Sequence, residues 1–228
     1  MRSRGVPESG SPAVLYYVHD PMCSWCYAFA PVWENVSHAL KTTVLIRTVL
    51  GGLAPDTKSP MPTDMQSRIK STWKTITNVV PGTEFNHDFW TLCTPRRSTY
   101  PACRAIIAAR EQGADLEPKM IAAIQSAYYR EARNPSLPET LIDLAGEIAL
   151  DTKRFGVFLA GEDCENTLQE EVRHAITLGI RGFPTLMLHK NNVFMHIQHD
   201  YNNAEITYRR IKEGLDALEL QLPAGKVE

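Results

Sequence analysis

A compact strand–helix–strand unit near the start of the chain sets the strongest limit on how the chain can fold. Residues 13–20, AVLYYVHD, form a short apolar run rich in valine and tyrosine, and residues 42–50, TTVLIRTVL, form a second. Runs of this length and composition predict buried strands. The segment between them places Phe29, Val32 and Trp33 on one side of a predicted helix. A single helical connection favours a parallel pair of strands.

The rest of the chain divides into a long helical stretch and a late return of strands. Residues 54–150 contain several helical patterns and no convincing strand, which predicts a helical subdomain. A helix from about Asp163 to Leu178 then precedes a β-hairpin whose tight turn is Asn191-Asn192, and an amphipathic helix follows. The expected class is therefore α/β, with a helical block inserted between the two parts that contain strands.

Charge, apolar runs and the start of the chain limit the partners and the compartment. The formal net charge is -2, which gives no basic surface for nucleic acid. No apolar run approaches the ~20 residues of a membrane span. Arg2 and Arg4 are followed by GVPESGSP, which has neither the apolar core nor the cleavage site of a signal peptide. We expect a cytoplasmic protein without nucleic-acid or membrane partners, whose oligomeric state the sequence leaves open.

Two cysteines, Cys23 and Cys26, stand between the first predicted strand and the helix. The total of five widely spaced cysteines does not resemble the disulfide framework of a secreted domain. A zinc site would need two more ligands, and there is no second Cys-x-x-Cys, although His196 and His199 could contribute. We therefore expect no metal and favour a redox pair. A helix N-terminus would stabilise the thiolate of Cys23, and Cys26, one turn later, would resolve a mixed disulfide.

The segment DPMCSWCYAFAP resembles the active-site segment of the thioredoxin superfamily, specifically of its DsbA-like branch, and within that branch it is most similar to the FrnE-like proteins. Pro31 falls five residues after Cys26, where thioredoxins carry the proline that kinks the helix. GFPT, residues 182–185, resembles the cis-proline loop of the superfamily. The resemblance covers roughly residues 13–220. It implies a thioredoxin fold with an inserted α-helical subdomain.

The resemblance also implies how the domains are divided along the chain. Residues 13–53 and 151–220 would form a discontinuous thioredoxin-fold domain, and residues 54–150 the helical insertion. Residues 1–12 and 221–228 would be tails.

The activity that the resemblance implies is thiol–disulfide exchange, by a disulfide oxidoreductase or isomerase. Cys23 would be the nucleophile and Cys26 the resolving thiol, with Pro184 facing them and Trp25 and Phe183 contacting the substrate. No cofactor is expected beyond the redox-active pair, with glutathione as a candidate reductant. The expected partners are protein or small-molecule thiols and disulfides. The direction of electron flow is not predicted.

One position departs from the family pattern. A buried acid commonly stands six residues before the first cysteine, and this chain has Tyr17 there. A carboxylate at that position would help Cys26 to lose its proton. His19 or Asp20 could substitute, but strand alternation does not settle which of the two faces the site.

Other functions stay open beside this one. Relatives with the same inserted helical block include glutathione-linked isomerases and kappa-type glutathione transferases, which use a serine at the corresponding position, whereas this chain keeps both cysteines. A non-catalytic module that holds client proteins in the same groove would not need the cysteines. In addition, TPRRSTYP places Arg96 and Arg97 just before a predicted helix, where they could hold an anion or a glutathione carboxylate. The alternative is an ordinary capped surface loop.

Overall fold

A four-stranded sheet organises the protein, for which a computed structural model describes residues 12–220. The strands are β1 (Val14–His19), β2 (Leu45–Leu50), β3 (Thr185–Lys190) and β4 (Val193–Ile197). Their order across the sheet is β2-β1-β3-β4. β1 pairs with β2 in parallel, as the connecting helix predicted, and β3 runs antiparallel to both β1 and β4. Residues 1–11 and 221–228, predicted as parts of the two tails, lie outside the described residues.

Helices connect the strands and cover the sheet. They are α1 (Ser24–Leu40), α2 (Thr63–Val79), α3 (Phe89–Leu92), α4 (Tyr100–Arg110), α5 (Leu116–Tyr129), α6 (Pro138–Glu147), α7 (Thr152–Leu159), α8 (Glu162–Thr177) and α9 (Ala204–Leu220). As predicted, the chain between β2 and α8 contains helices and loops without a strand. Across residues 12–220, none of these helices is both long enough and apolar enough to cross a membrane.

The hairpin between β3 and β4 turns where the sequence predicted. Asn191 and Asn192 have φ angles of 50° and 63°. These left-handed values are the ones that a two-residue hairpin turn of type I′ requires, and asparagine tolerates them well. Lys190 and Val193 therefore stand opposite each other at the start of the β3–β4 ladder.

Two main hydrophobic cores stabilise the protein. One packs α1 and α9 against the sheet and includes Phe29, Leu188 and Ile211, all fully buried. The other fills the helical block around Trp73 and also takes in Leu50 at the end of β2. The second core thus joins the helical block to the edge of the sheet.

A partly buried ion-pair network ties the same regions together. Arg110 of α4 binds Glu117 of α5 at 2.8 Å and Glu171 of α8 at 2.6 Å. The second carboxylate oxygen of Glu171 accepts the backbone N–H of Leu50 at 2.7 Å. Because one glutamate satisfies both an arginine and the last residue of β2, the helical block is fixed relative to the end of the sheet where α1 begins.

Candidate active site

The two cysteines of the CSWC motif lie at the start of α1, where β1 has just ended. Cys23 is the N-cap residue, with an extended backbone (φ -80°, ψ 118°). Its carbonyl accepts the first helical hydrogen bond, from the N–H of Tyr27 at 3.0 Å. Cys26 follows one turn later and is fully buried, whereas 8% of Cys23 is exposed. Both are free thiols in the structure.

The surroundings shift the pKa values of the two thiols in opposite directions. The pKa of Cys23 is lowered, first by a hydrogen bond from the side chain of Cys26 and further by the backbone N–H groups of Cys26 and Trp25. Burial and the charge of Asp20 act against this shift. The pKa of Cys26 is raised well above its ordinary value by burial, and then by Cys23. These shifts favour ionisation of Cys23 over ionisation of Cys26, which suits Cys23 to attack a disulfide and Cys26 to act second.

The loop before β3 closes over Cys23. The peptide bond between Phe183 and Pro184 is cis, as the resemblance implied. Cys23 Sγ donates a hydrogen bond to the carbonyl oxygen of Phe183 at 3.5 Å. Pro184 is buried and Phe183 is half-buried. The fold thus brings together two motifs that the sequence separates by 160 residues.

The ring of Phe183 rests on Gly51, the residue after β2. A β-carbon on Gly51 would lie only 1.9 Å from Cε1 of Phe183. The N–H of Gly51 donates to the carbonyl of His19 at 2.8 Å, so its backbone is held in place. The Phe183 ring therefore occupies space that is free only because residue 51 is a glycine.

We expect Gly51→Ala to slow disulfide exchange about 10-fold or more, since an ångström-scale displacement near reacting atoms is costly. The added methyl group would push the Phe183 ring, and with it the loop that contacts Cys23. The rate is measured with the reduced enzyme and a small disulfide under single-turnover conditions. Gly182→Ala is the matched control, because a β-carbon there meets no atom within 4 Å. Equal rates for the two variants would contradict this account.

The residues between the cysteines contact different parts of the fold. Ser24 Oγ accepts a hydrogen bond from Nε1 of Trp73 in α2 at 2.9 Å. The half-buried ring of Trp25 packs near Tyr201, with ring centroids 5.0 Å apart. The CSWC segment is thus bound on one side by the helical block and on the other by the chain after β4.

A cavity of about 260 Å³ opens beside Cys23. Besides Cys23 itself, Trp25 and Phe183 line it. Its remaining wall comes from the start of α1 and from the helical block: Met22, Ser24, Leu53, Met61, Ile69, Thr72, Arg96, Arg97, Thr99 and Tyr128. Three of the sequence-predicted site residues therefore share one cavity.

The buried acid near the cysteines is Asp20, which lies directly after β1. Its Oδ1 accepts the N–H of Met22 at 2.8 Å. Its Oδ2 accepts the N–H of Leu53 at 2.7 Å, the hydroxyl of Thr99 at 2.6 Å and the thiol of Cys103 at 3.5 Å. One carboxylate thus joins the CSWC segment, the loop after β2 and the start of α4. The sequence indicated Asp20 only as one of two substitutes for the family acid.

Tyr17 and His19 are buried residues two positions apart on β1. Their rings stack with centroids 4.8 Å apart. Burial raises the pKa of Tyr17 well above its ordinary value, so its hydroxyl does not take a proton from Cys26 near neutral pH. Burial, and then the charge of Arg110, lowers the pKa of His19 to about 3, and neither of its ring nitrogens has a hydrogen-bond partner. His19 is therefore neutral and is not a carboxylate substitute.

Over residues 12–220, the structure contains no group of three or more histidine, cysteine, aspartate or glutamate side chains that could hold an ion. His199, which the sequence allowed as a ligand, packs instead against the ring of Phe29 at 4.6 Å.

Comparison with known proteins agrees with this geometry. The family model described as the DSBA-like thioredoxin domain matches residues 14–205. A crystal structure from Nitrosomonas europaea, provisionally described as a protein disulfide isomerase, is 25% identical, with a TM-score of 0.79 over 91% of this chain and 99% of that chain. The cytosolic disulfide reductase DsbM from Pseudomonas aeruginosa is 23% identical, with a TM-score of 0.68 over 92% of this chain and 98% of that chain. The expected thioredoxin fold with inserted helices is confirmed.

One curated relative carries a different description. The ClpXP adapter protein SpxH from Halalkalibacterium halodurans is 25% identical over 186 residues, which cover 80% of this chain. The chain spans 60% of that protein's length.

Proposed function

The chain belongs to the family of the DSBA-like thioredoxin domain, and we propose that it is a thiol–disulfide oxidoreductase that works through Cys23 and Cys26. One observation carries the proposal: Cys23 caps α1 one turn before Cys26, and its Sγ lies 3.5 Å from the carbonyl oxygen of Phe183. A thiolate at a helix N-terminus beside a resolving thiol is suited to disulfide exchange.

The reaction has two displacement steps. The Cys23 thiolate attacks one sulfur of a substrate disulfide, forming a mixed disulfide, and the other substrate sulfur leaves with the electron pair and takes a proton. The Cys26 thiolate then attacks Cys23 Sγ, forms the Cys23–Cys26 bond and releases the second substrate thiol. The substrate gains two electrons and the cysteine pair loses two. Run in reverse, the same steps oxidise or rearrange substrate thiols.

The opposite pKa shifts support this order of events. The negative charge on Cys23 is one cause of the raised pKa of Cys26, after burial. The first step converts that thiolate into a neutral disulfide sulfur. The charge that held the proton on Cys26 then disappears, so Cys26 is easier to deprotonate once the mixed disulfide has formed.

Trp25, Phe183 and Pro184 are proposed to bind the substrate beside Cys23. Trp25 and Phe183 share the cavity with the nucleophile and offer apolar ring surfaces. Protein and small-molecule thiols and disulfides are the proposed partners, and glutathione the proposed reductant, in the cytoplasm. DsbM supports this choice, because it is described as cytosolic and has been solved with GSH.

A titration in glutathione redox buffers tests the proposal. Trp25 lies within the CSWC segment and Trp73 donates a hydrogen bond to its Ser24, so tryptophan fluorescence should report oxidation of the cysteine pair. We expect one two-electron transition in the wild-type protein, between about -270 and -120 mV, the range from thioredoxin to DsbA. The transition should be absent from Cys23→Ser, and its absence from the wild-type protein would contradict the proposal.

The adapter description of SpxH favours a second candidate, a client-binding module. That function predicts that a Cys23→Ala, Cys26→Ala double variant still protects a client protein from aggregation as well as the wild-type protein does. Loss of protection in the double variant would exclude a binding role independent of the cysteines.

A further inference from the structure

We propose that the cavity beside Cys23 selects small thiols and disulfides that carry carboxylates, of the glutathione class, and that Arg96 and Arg97 bind those carboxylates. This inference rests on the proposed function, because it names the substrate class of the same site.

The loop between α3 and α4 brings both arginines into the wall of the cavity that contains Cys23. A ligand held by either guanidinium therefore lies in the same enclosed space as the nucleophilic sulfur. Such a ligand presents its own sulfur to Cys23 with much of its freedom already removed, which is a recognised source of rate enhancement.

Within the part of the chain that the structure describes, the charges of these two arginines have no carboxylate partner. Among residues 12–220, neither Arg96 nor Arg97 has a carboxylate within 4.0 Å. Arg104 and Arg110, by contrast, each bind two carboxylates at 2.6–2.8 Å. Over residues 12–220, the two arginines beside Cys23 are thus uncompensated, whereas Arg104 and Arg110, which link helices, are not.

Arg96 has a second feature that indicates a ligand. Its Nε is buried and has no hydrogen-bond partner. A buried N–H of a charged group without an acceptor is costly, and such groups in native proteins need an explanation. A carboxylate fits this position, because it accepts two parallel hydrogen bonds from the guanidinium fork.

The size and the remaining wall of the cavity favour a small molecule over a protein segment. Its volume is about 260 Å³, near the lower end of ordinary ligand sites. Apart from the arginines and a few hydroxyl groups, the wall is apolar, with Met61, Ile69 and Tyr128. A small, mostly apolar cavity with arginines and a cysteine in its wall suits a short molecule that carries both a carboxylate and a sulfur.

The test compares two disulfides of nearly the same shape, dithiodipropionic acid and its neutral diamide. The reduced protein is mixed with each, the reaction is quenched by alkylation, and the loss of free Cys23 gives the second-order rate. In the Arg96→Gln, Arg97→Gln double variant, we expect the second-order rate with the dicarboxylate to fall about 10-fold or more, because charge-assisted hydrogen bonds are removed. The rate with the diamide should change less than about twofold, which is within the effect of a neutral surface substitution.

Arg68→Gln is the matched control, since Arg68 lies on the exposed face of α2 in a pair with Asp64. It should leave both rates unchanged. The rate with oxidised glutathione should change in the same direction as the rate with the dicarboxylate in every variant.

A measurement on the wild-type protein keeps the test independent of folding of the double variant. Its preference for the dicarboxylate over the diamide should shrink as salt is added, because salt screens the attraction between the arginines and the approaching dicarboxylate. No preference at low salt, or equal losses with both disulfides in the double variant, would overturn the inference. Failure of the wild-type protein to react with either disulfide would instead overturn the proposed function.

Discussion

Replacing Cys23 with serine is expected to abolish disulfide exchange down to the uncatalysed background. The thiolate is the attacking species, and a serine hydroxyl at the same N-cap position is not ionised near neutral pH. The structure also leaves no neighbouring thiol to take over, because Cys26 is fully buried and the pKa of its thiol is raised. Turnover is measured with a peptide disulfide in the presence of excess glutathione. Wild-type turnover in Cys23→Ser would contradict the assignment.

The Cys26→Ser variant gives a different result that separates the two roles. Cys23 can still attack, but the mixed disulfide can no longer be resolved within the protein, so it should accumulate. Mass spectrometry would detect one substrate half attached to Cys23. Cys164→Ser is the control, because Cys164 lies in the core of the helical block and should leave turnover unchanged. Fast turnover without an adduct in Cys26→Ser would contradict a resolving role.

Replacing Asp20 with alanine is expected to lower the free energy of unfolding by about 3 kcal/mol or more, since each buried donor left without an acceptor costs about 1–3 kcal/mol. The fully buried carboxylate accepts hydrogen bonds from Met22, Leu53 and Thr99 at 2.6–2.8 Å. Without it, these buried donors have no acceptor, and each adds to the penalty. Urea unfolding followed by circular dichroism measures the change.

Asp64→Ala is the control for this prediction, because that carboxylate is exposed on α2. It should change stability by less than about 0.5 kcal/mol. A similar small effect for Asp20→Ala would show that the carboxylate does not stabilise the turn between β1 and α1.

The parts of the protein that the sequence predicted are those with local signals. The buried strands, the helix after Cys23 and the Asn191-Asn192 turn each depend on neighbouring residues, so composition and periodicity were enough. The α/β class followed from the order of the predicted strands and helices. The redox interpretation followed from the position of Cys23 and Cys26 at the start of a predicted helix. The meeting of Cys23 with Phe183 depended on the family resemblance, because no local rule relates residues so far apart.

The surroundings of Asp20 could not be predicted in the same way. Asp20 follows the end of β1, where alternation no longer tells to which side a side chain points. Thr99 is the N-cap residue of α4. Its hydroxyl, however, makes no capping hydrogen bond and donates to Asp20 instead. Tertiary contact overrode the local use of that hydroxyl.

The central position of β1 has a consequence for synthesis of the chain on the ribosome. β1 pairs on one side with β2, which follows closely, and on the other with β3, where Val14 stands opposite His189. One edge of β1 therefore stays without its partner until the helical block has been made. The loop that covers Cys23 arrives equally late. During this interval the emerging chain exposes both a strand edge and a reactive thiol, and it is then most open to wrong pairing and premature oxidation.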